Sequence, residues 1–506
     1  MSRVEIGASR IAPANVALWG VWATGLVAAY FLSRFLCDLS PFRALAFLGA
    51  AIAVVAARDF VLLMTFLMVS SLVTRGPINI LGDITPFDIL IALLALHILV
   101  RIIDKRRHFM LSRDGKLMLL LLFLVCFSEV MGFLYFSRSL FMEVSAKPFI
   151  QLLEFMVVMS AVIICTETRQ QVRKLVKWQI ICAAFLAAVA IYESQRGVLF
   201  FGDQSVFGTN EYTLRGELKS NPNSLLLIIP SIAYLLYLKR SVWIRVAALA
   251  FILCPFVPQG TRTFYLSLCG LVLGMLWLGK GRKSLWVIPV VLIAVFLNSA
   301  IVFPRVQEIF EGVHGYFLSP YSAEESSTFG RLILWKTAPQ IFMRHPFWGY
   351  GVNGYGMEVF TDPSVFSNEH ITFVSWARGA LNPAGKTHNE YLQIIIDHGA
   401  IAFAVSLYLL AQTLRKCRAR AVTENEDIAW IYSGLFASFV AFLFAFASIS
   451  LLSYHGNNFL QVFFWMNAGL IYATVNGPPS AAHPPVRRHG GEETTRLENK
   501  DITRAR

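Results

Sequence analysis

This sequence predicts an all-α, polytopic membrane helix bundle, and three observations carry that prediction. Charged residues make up 15% of the 506 residues and hydrophobic residues 56%, whereas a soluble domain carries about 25% charged residues. The apolar residues gather into runs of about 20, the length at which a helix crosses a hydrocarbon core of about 30 Å. The basic residues gather between those runs in short loops, as they do in membrane proteins of defined orientation.

Taken in order, the candidate spans are residues 16–36, 41–57, 59–74, 84–103, 116–136, 147–166, 174–193, 222–238, 242–258, 263–279, 284–303, 388–414, 427–451 and 456–476. That makes about 14 spans, with 12–14 as the range, because the second and third are short. Arg58 and Asp59 between those two also fit a re-entrant pair. The alternating ten-residue pattern of a β-barrel is absent.

Loop charge orients the bundle. Arg101, Lys105, Arg106, Arg107, Arg113 and Lys116 crowd one loop; Arg169, Arg173, Lys174 and Lys177 a second; Lys239, Arg240 and Arg245 a third. Lys280, Arg282 and Lys283 form a fourth, and Arg415, Lys416, Arg418 and Arg420 a fifth. Two spans separate each cluster from the next, so all five share a side. The positive-inside rule makes that side the cytoplasm and places both termini there. This distribution also accounts for the net charge of +13 without nucleic acid. Cys37, Cys126, Cys165, Cys182, Cys254, Cys269 and Cys417 lie in or beside apolar runs with no CxxC pair, which argues against a disulfide framework or zinc site. The first 15 residues carry no cleavable signal pattern, so the first span is expected to act as an uncleaved signal.

The other side receives the polar features: residues 194–221, the turn Pro258-Gln259-Gly260-Thr261-Arg262, and an 84-residue loop, 304–387. Within that loop, residues 328–344 have helical periodicity. Phe329, Leu332, Ile333, Ile341 and Phe342 form one face, and Arg331, Thr337, Gln340 and Arg344 are expected on the other. At Thr387-His388-Asn389-Glu390, Thr387 as N-cap and Glu390 at N3 fit a capping box. That puts His388 in the first helical turn, where the dipole disfavours imidazolium and leaves a neutral base. Arg215, Arg262 and Arg331 share this side with His388. Each has an ordinary explanation alone: interfacial anchoring, snorkelling or a solvated helix face. Together, three guanidinium groups suit phosphate oxygens, and the outer loops contain no DxD-like carboxylate cluster for a metal.

These elements, in this order, resemble the O-antigen ligase and O-antigen polymerase family over residues 205–410. The segment Arg215 to Asn223, the Gly260-Thr261-Arg262 turn and Arg331 to Gly351 are similar to family elements. His388-Asn389, nine residues, then Gly399-Ala400-Ile401-Ala402 follow the ligase pattern of His, Asn/Ser/Gln, nine residues, Gly, two residues and Gly/Thr/Tyr. Ala402 alone departs from it. Hydropathy gives N-terminal transmembrane helices over 1–200 and C-terminal helices over 416–476, and the Pro-Pro, Ala-Ala and mixed-charge composition of 477–506 predicts a disordered cytoplasmic tail. The resemblance implies a ligase/polymerase-like core over 201–415 that includes periplasmic loop 304–387. It implies an inverting glycosyltransferase of the bacterial inner membrane without metal or other cofactor. The donor is glycan on undecaprenyl diphosphate, drawn from the bilayer, and a chain-length regulator is a possible partner. Arg215, Arg262 and Arg331 would contact diphosphate, His388 would serve as base, and Asn389, Tyr391 and Asn223 would support the site.

Two kinds of acceptor follow: another repeat unit, for a polymerase of O-antigen, capsule or exopolysaccharide, or lipid A core or another acceptor such as protein, for a ligase. The broken ligase pattern and the number of spans favour the polymerase. A lipid-linked-sugar transporter is the reading from another class. It calls for internal repeats and mid-bilayer charges, whereas the chain shows no repeat and few such charges, Asp88 and Glu154 among them.

Overall fold

The computed structural model describes residues 59–73, 86–105, 113–196, 224–255, 262–279, 307, 310–311, 313–314, 327–362, 364, 385–424, 426–452 and 460–473. The elements that organise these residues are helices. In chain order they are α1 (Phe60–Val73), α2 (Pro86–Lys105), α3 (Arg113–Tyr135), α4 (Arg138–Phe141), a π-helical turn (Met142–Ala146), α5 (Lys147–Cys165) and α6 (Arg169–Arg196). There follow α7 (Leu225–Tyr237), α8 (Val242–Leu253), α9 (Arg262–Leu278), α10 (Ser327–Arg344), α11 (Gly354–Thr361), α12 (Glu390–Thr423), α13 (Glu426–Phe446) and α14 (Gln461–Tyr472). Five helical stretches are long and apolar enough to cross a bilayer: Arg113–Tyr135, Arg138–Cys165, Arg169–Tyr192, Glu390–Thr423 and Glu426–Phe446. This is a multi-span helical membrane protein. The expected count of fourteen is not reached among the described residues, and the runs at 16–36, 41–57 and 284–303 lie outside them.

Small residues bring the central helices together. Gly270 and Gly274, four apart on α9, face α13. A Cβ at either would stand 2.8 Å from the Ala441 Cα or 2.9 Å from the Ala437 Cα. Such close approach lets backbones pack where lipid supplies no hydrophobic drive between helices. Gly434 of α13 admits Tyr234 of α7 in the same way, and the buried Tyr234 hydroxyl donates to Asn467 Oδ1 of α14 at 2.7 Å.

The two ends of the bundle differ in chemistry. At one end the basic loops meet acidic partners: Lys416 with Asp114, Lys239 with Glu426, Arg173 with Asp427 at 2.8 Å, and Arg169 with Glu424 at 3.8 Å. With Arg101 set against Glu167 at 3.8 Å, four of the five basic clusters read from the sequence contribute to the same ionic layer. The opposite ends of α9, α12 and α13 converge elsewhere. Asn389 Nδ2 donates to the Ala447 carbonyl (3.1 Å), Ser448 Oγ to Thr263 Oγ1 (3.2 Å), and the Leu452 N–H to Glu390 Oε2 (2.8 Å).

The long loop carries the helix that its periodicity predicts. α10 buries Ile333, Leu334, Ala338 and Ile341. One assignment is corrected: Thr337 belongs to the buried face, where its hydroxyl meets the Leu334 carbonyl and the Tyr355 hydroxyl. It lies four residues from both Ile333 and Ile341, so helical geometry places it with them.

Candidate functional site

The site is built where α10 and the segment after it meet the start of α12. Gly399 interrupts α12 with φ 79° and ψ 173°, a backbone region open essentially to glycine alone. The kink seats residues 346–351. Ala400 N–H donates to the Pro346 carbonyl (2.8 Å), Tyr350 N–H to the Ile396 carbonyl (3.2 Å), and Gly351 N–H to the Asp397 carbonyl (2.8 Å). The backbones are so close that a Cβ on Gly399 would lie 2.2 Å from the Phe347 carbonyl oxygen. The glycine that ends the nine-residue spacing after His388-Asn389 is therefore where the loop segment docks.

The cap of α12 differs from the expected capping box. Asn389, not Thr387, is the N-cap: its Oδ1 accepts from the N–H groups of Tyr391 (3.0 Å) and Leu392 (3.2 Å). Glu390 is occupied by the Leu452 N–H. His388 thus precedes the cap instead of lying in the first turn. It adopts φ 52°, a left-handed conformation that costs a non-glycine residue about 1–2 kcal/mol.

Neighbouring bonds hold that conformation. The buried Thr387 donates its N–H to Gln393 Oε1 (3.0 Å), and its carbonyl accepts from Trp335 Nε1 of α10 (2.9 Å). Its hydroxyl donates to the Asn389 carbonyl (2.8 Å) and accepts from the Asn389 N–H (3.2 Å). Trp335 stands one turn beyond Arg331, so its bond brings the Arg331 face of α10 to the His388 turn.

The half-buried His388 has its pKa lowered to about 4, first by burial and then by the positive charges of Arg331 and Lys386. The neutral imidazole expected from the helix dipole thus has a different main cause. Lys386 is itself buried, and its ammonium pKa is pushed down by desolvation against the attraction of Glu390 and Asp397.

The other expected site residues are placed unevenly. Arg262 opens α9, and the neighbouring Thr263 is joined through Ser448 to the segment that also binds Asn389. Tyr391 is a tether, its hydroxyl donating to the Leu443 carbonyl of α13 (2.9 Å). Arg215 and Asn223 lie outside the described residues. Among the described residues no three His, Cys, Asp or Glu side chains gather as a metal site would require.

Sequence reasoning missed Lys386, Gln393, Asp397 and Glu129. The readable signal was a polar pair four residues apart, Gln393 and Asp397, and a glutamate within an apolar run; such groups inside a membrane face the interior. Asp397 is buried and accepts from Gln393 Nε2 at 2.9 and 3.1 Å and from Asn353 N–H at 3.2 Å. Glu129 of α3 is buried opposite, accepting from Ser145 Oγ at 2.8 Å and from the Val352 N–H. The π-helical turn contributes Ser145 and also the Val144 carbonyl, which accepts from Asn353 Nδ2 at 2.9 Å.

Residues 247–407 match the family model described as O-antigen ligase. The matched segment contains Arg262, Arg331, His388, Gly399 and Ala402 and begins after Arg215. Proteins of that family are membrane proteins that transfer glycans. No curated protein matches the chain.

Proposed function

We propose that this membrane protein with an O-antigen ligase domain is an inverting glycosyltransferase. In this reading it uses undecaprenyl-diphosphate-linked glycan at the periplasmic face of the bacterial inner membrane and polymerises repeat units of O-antigen, capsule or exopolysaccharide. The observation that carries the reading is the Trp335–Thr387 bond, which holds the arginine-bearing α10 against the His388 turn. That assembly stands at the bundle end opposite the basic layer, which the positive-inside rule assigns to the cytoplasm.

The chemistry follows from the groups present. Neutral His388 accepts the proton of an acceptor sugar hydroxyl. The hydroxyl oxygen forms a bond to the donor's anomeric carbon from the face opposite the leaving group. The anomeric carbon–oxygen bond to diphosphate breaks, and its electron pair leaves with undecaprenyl diphosphate. Arg331 neutralises the charge that develops there, with Arg262 and Arg215 as further diphosphate contacts.

The family description favours a second reading, transfer of finished glycan to lipid A core. Ala402 breaks the ligase pattern, but it is buried in α12. It lies beyond the Gly399 interruption, twelve residues after Glu390, with its side chain in the packed interior. Surface glycan from a deletion strain carrying wild type, His388→Ala or Arg331→Ala decides between the readings, with membrane levels matched. Single repeat units on the acceptor identify the polymerase. Long chains held on undecaprenyl diphosphate identify the ligase. Unchanged glycan with both variants at wild-type level removes the site assignment.

A further inference from the structure

We propose that Gln393 and Asp397 are a positioning pair that registers His388 against the Arg331-bearing segment; its catalytic consequence rests on the glycosyl-transfer reading. The pair joins two pieces of chain that meet only in the tertiary structure. On one side, Gln393 Oε1 accepts from the Thr387 N–H at 3.0 Å, fixing the residue before His388. On the other, Asp397 accepts from the Asn353 N–H through its carboxylate and from the Tyr350 and Gly351 N–H groups through its carbonyl. Those residues close the segment that continues α10.

The polarity of the chain is forced. A backbone N–H can only donate, so the Gln393 oxygen must face Thr387 and its NH2 must face position 397. Both Asp397 oxygens therefore accept. All of these groups are buried, so water does not substitute for a lost partner. His388 sits in a left-handed backbone conformation with this network on its N-terminal side and the Asn389 cap on its C-terminal side. Neither Gln393 nor Asp397 is assigned a contact with substrate; both act through Thr387 and Asn353.

The polarity argument makes a swap experiment possible. Asp397→Asn offers an NH2 where Gln393 already presents one, and turning Gln393 over to relieve this leaves the Thr387 N–H facing a donor. Gln393→Glu places two carboxylates against each other. The double variant Gln393→Glu/Asp397→Asn restores the match. The amide NH2 introduced at position 397 donates to the carboxylate introduced at position 393, whose other oxygen accepts from Thr387. The amide oxygen at position 397 still accepts from Asn353.

We would measure kcat and KM for glycan transfer in reconstituted vesicles, and separately the rate of diethyl pyrocarbonate labelling at His388 by mass spectrometry. Each single variant is expected to lower kcat about 10- to 100-fold, the scale of a misplacement of about 1 Å, with KM for lipid-linked donor within about twofold. The labelling rate should shift in both singles. The double variant should recover kcat and labelling together. Singles that match wild type in both readouts overturn the proposal, and so does a double variant no better than either single. If wild type shows no transfer but labelling shifts in the singles and reverts in the double, the positioning pair stands and the glycosyl-transfer reading falls. Singles missing from the membrane with a recovered double also support the coupling; a double that is missing too overturns it.

Discussion

Gly399→Ala is a stringent test of how the site is assembled. The native backbone there, φ 79° and ψ 173°, costs a residue with a Cβ about 1–3 kcal/mol. The added methyl would also lie 2.2 Å from the Phe347 carbonyl oxygen and 2.5 Å from the Trp348 nitrogen. Both are backbone atoms, so a side-chain rotation cannot relieve the clash. Relief requires residues 346–351 to lift off α12, which breaks the bonds from Ala400 to Pro346, Tyr350 to Ile396 and Gly351 to Asp397. At about 1 kcal/mol each, the total is roughly 4–6 kcal/mol, against a typical folding stability of 5–15 kcal/mol. The chain is therefore expected to insert while the docked segment detaches. Hydrogen exchange across 345–353 should accelerate strongly, and glycan transfer should be lost. Gly279→Ala is the control: φ is 67° but nothing lies within 4 Å of the added Cβ, so only about 1–2 kcal/mol is at stake. Wild-type exchange and activity in Gly399→Ala would refute the docking account.

Four further outcomes are expected. The pKa of His388, near 4 when folded, lies below the ordinary imidazole value of about 6.5. The folded state thus resists protonation, and stability is lost as pH falls from 6.5 towards 4. Transfer by wild-type vesicles should accordingly stay near full rate down to about pH 5, and in Arg331→Gln, which removes a positive neighbour, diethyl pyrocarbonate labelling of His388 should fall off at a higher pH than in wild type; a wild-type limb at 6.5 contradicts the burial argument. Asn389→Ala removes a cap worth about 0.5–2 kcal/mol and the bond to Ala447, whereas Asn389→Ser keeps an oxygen for the cap and loses only the tether. The temperature at which buried Cys165, Cys182 and Cys417 become reactive to a thiol dye should rank Ala below Ser below wild type. Trp335→Phe keeps the ring but loses the Nε1 donor to Thr387; hydrogen exchange at 385–389 should rise by an opening free energy of about 1 kcal/mol, and unchanged protection means that the bond does not hold the turn. Ala402→Gly completes the ligase pattern yet costs about 1 kcal/mol of helix propensity, so surface glycan should keep its acceptor while thermal stability falls; a changed acceptor shows that position 402 sets specificity.

Hydropathy determined the fold class, a helical membrane protein, without any structure. In lipid each span must satisfy its own backbone, so apolar runs of span length commit to helices, and the basic loops sort their ends electrostatically. The pairing of Lys416 with Asp114, Lys239 with Glu426 and Arg173 with Asp427 follows that sorting. The helix at 327–344 was also legible, because its apolar face repeats with helical period. So was the order of Arg262, Arg331 and His388-Asn389 along the chain. Local rules failed where long-range bonds outweigh them. Thr387 reads as a cap, but Trp335, 52 residues earlier, and Gln393 hold it outside the helix, leaving the cap to Asn389. Thr337 reads as exposed, but Tyr355 gives its hydroxyl a buried partner. Glu129 and Asp397 read as isolated polar residues in apolar runs, although residues 350–353 fold between them and take both carboxylates as acceptors. A buried donor or acceptor must find its partner wherever the tertiary fold supplies one. That requirement, which sequence spacing alone does not reveal, decided how the His388 turn is built.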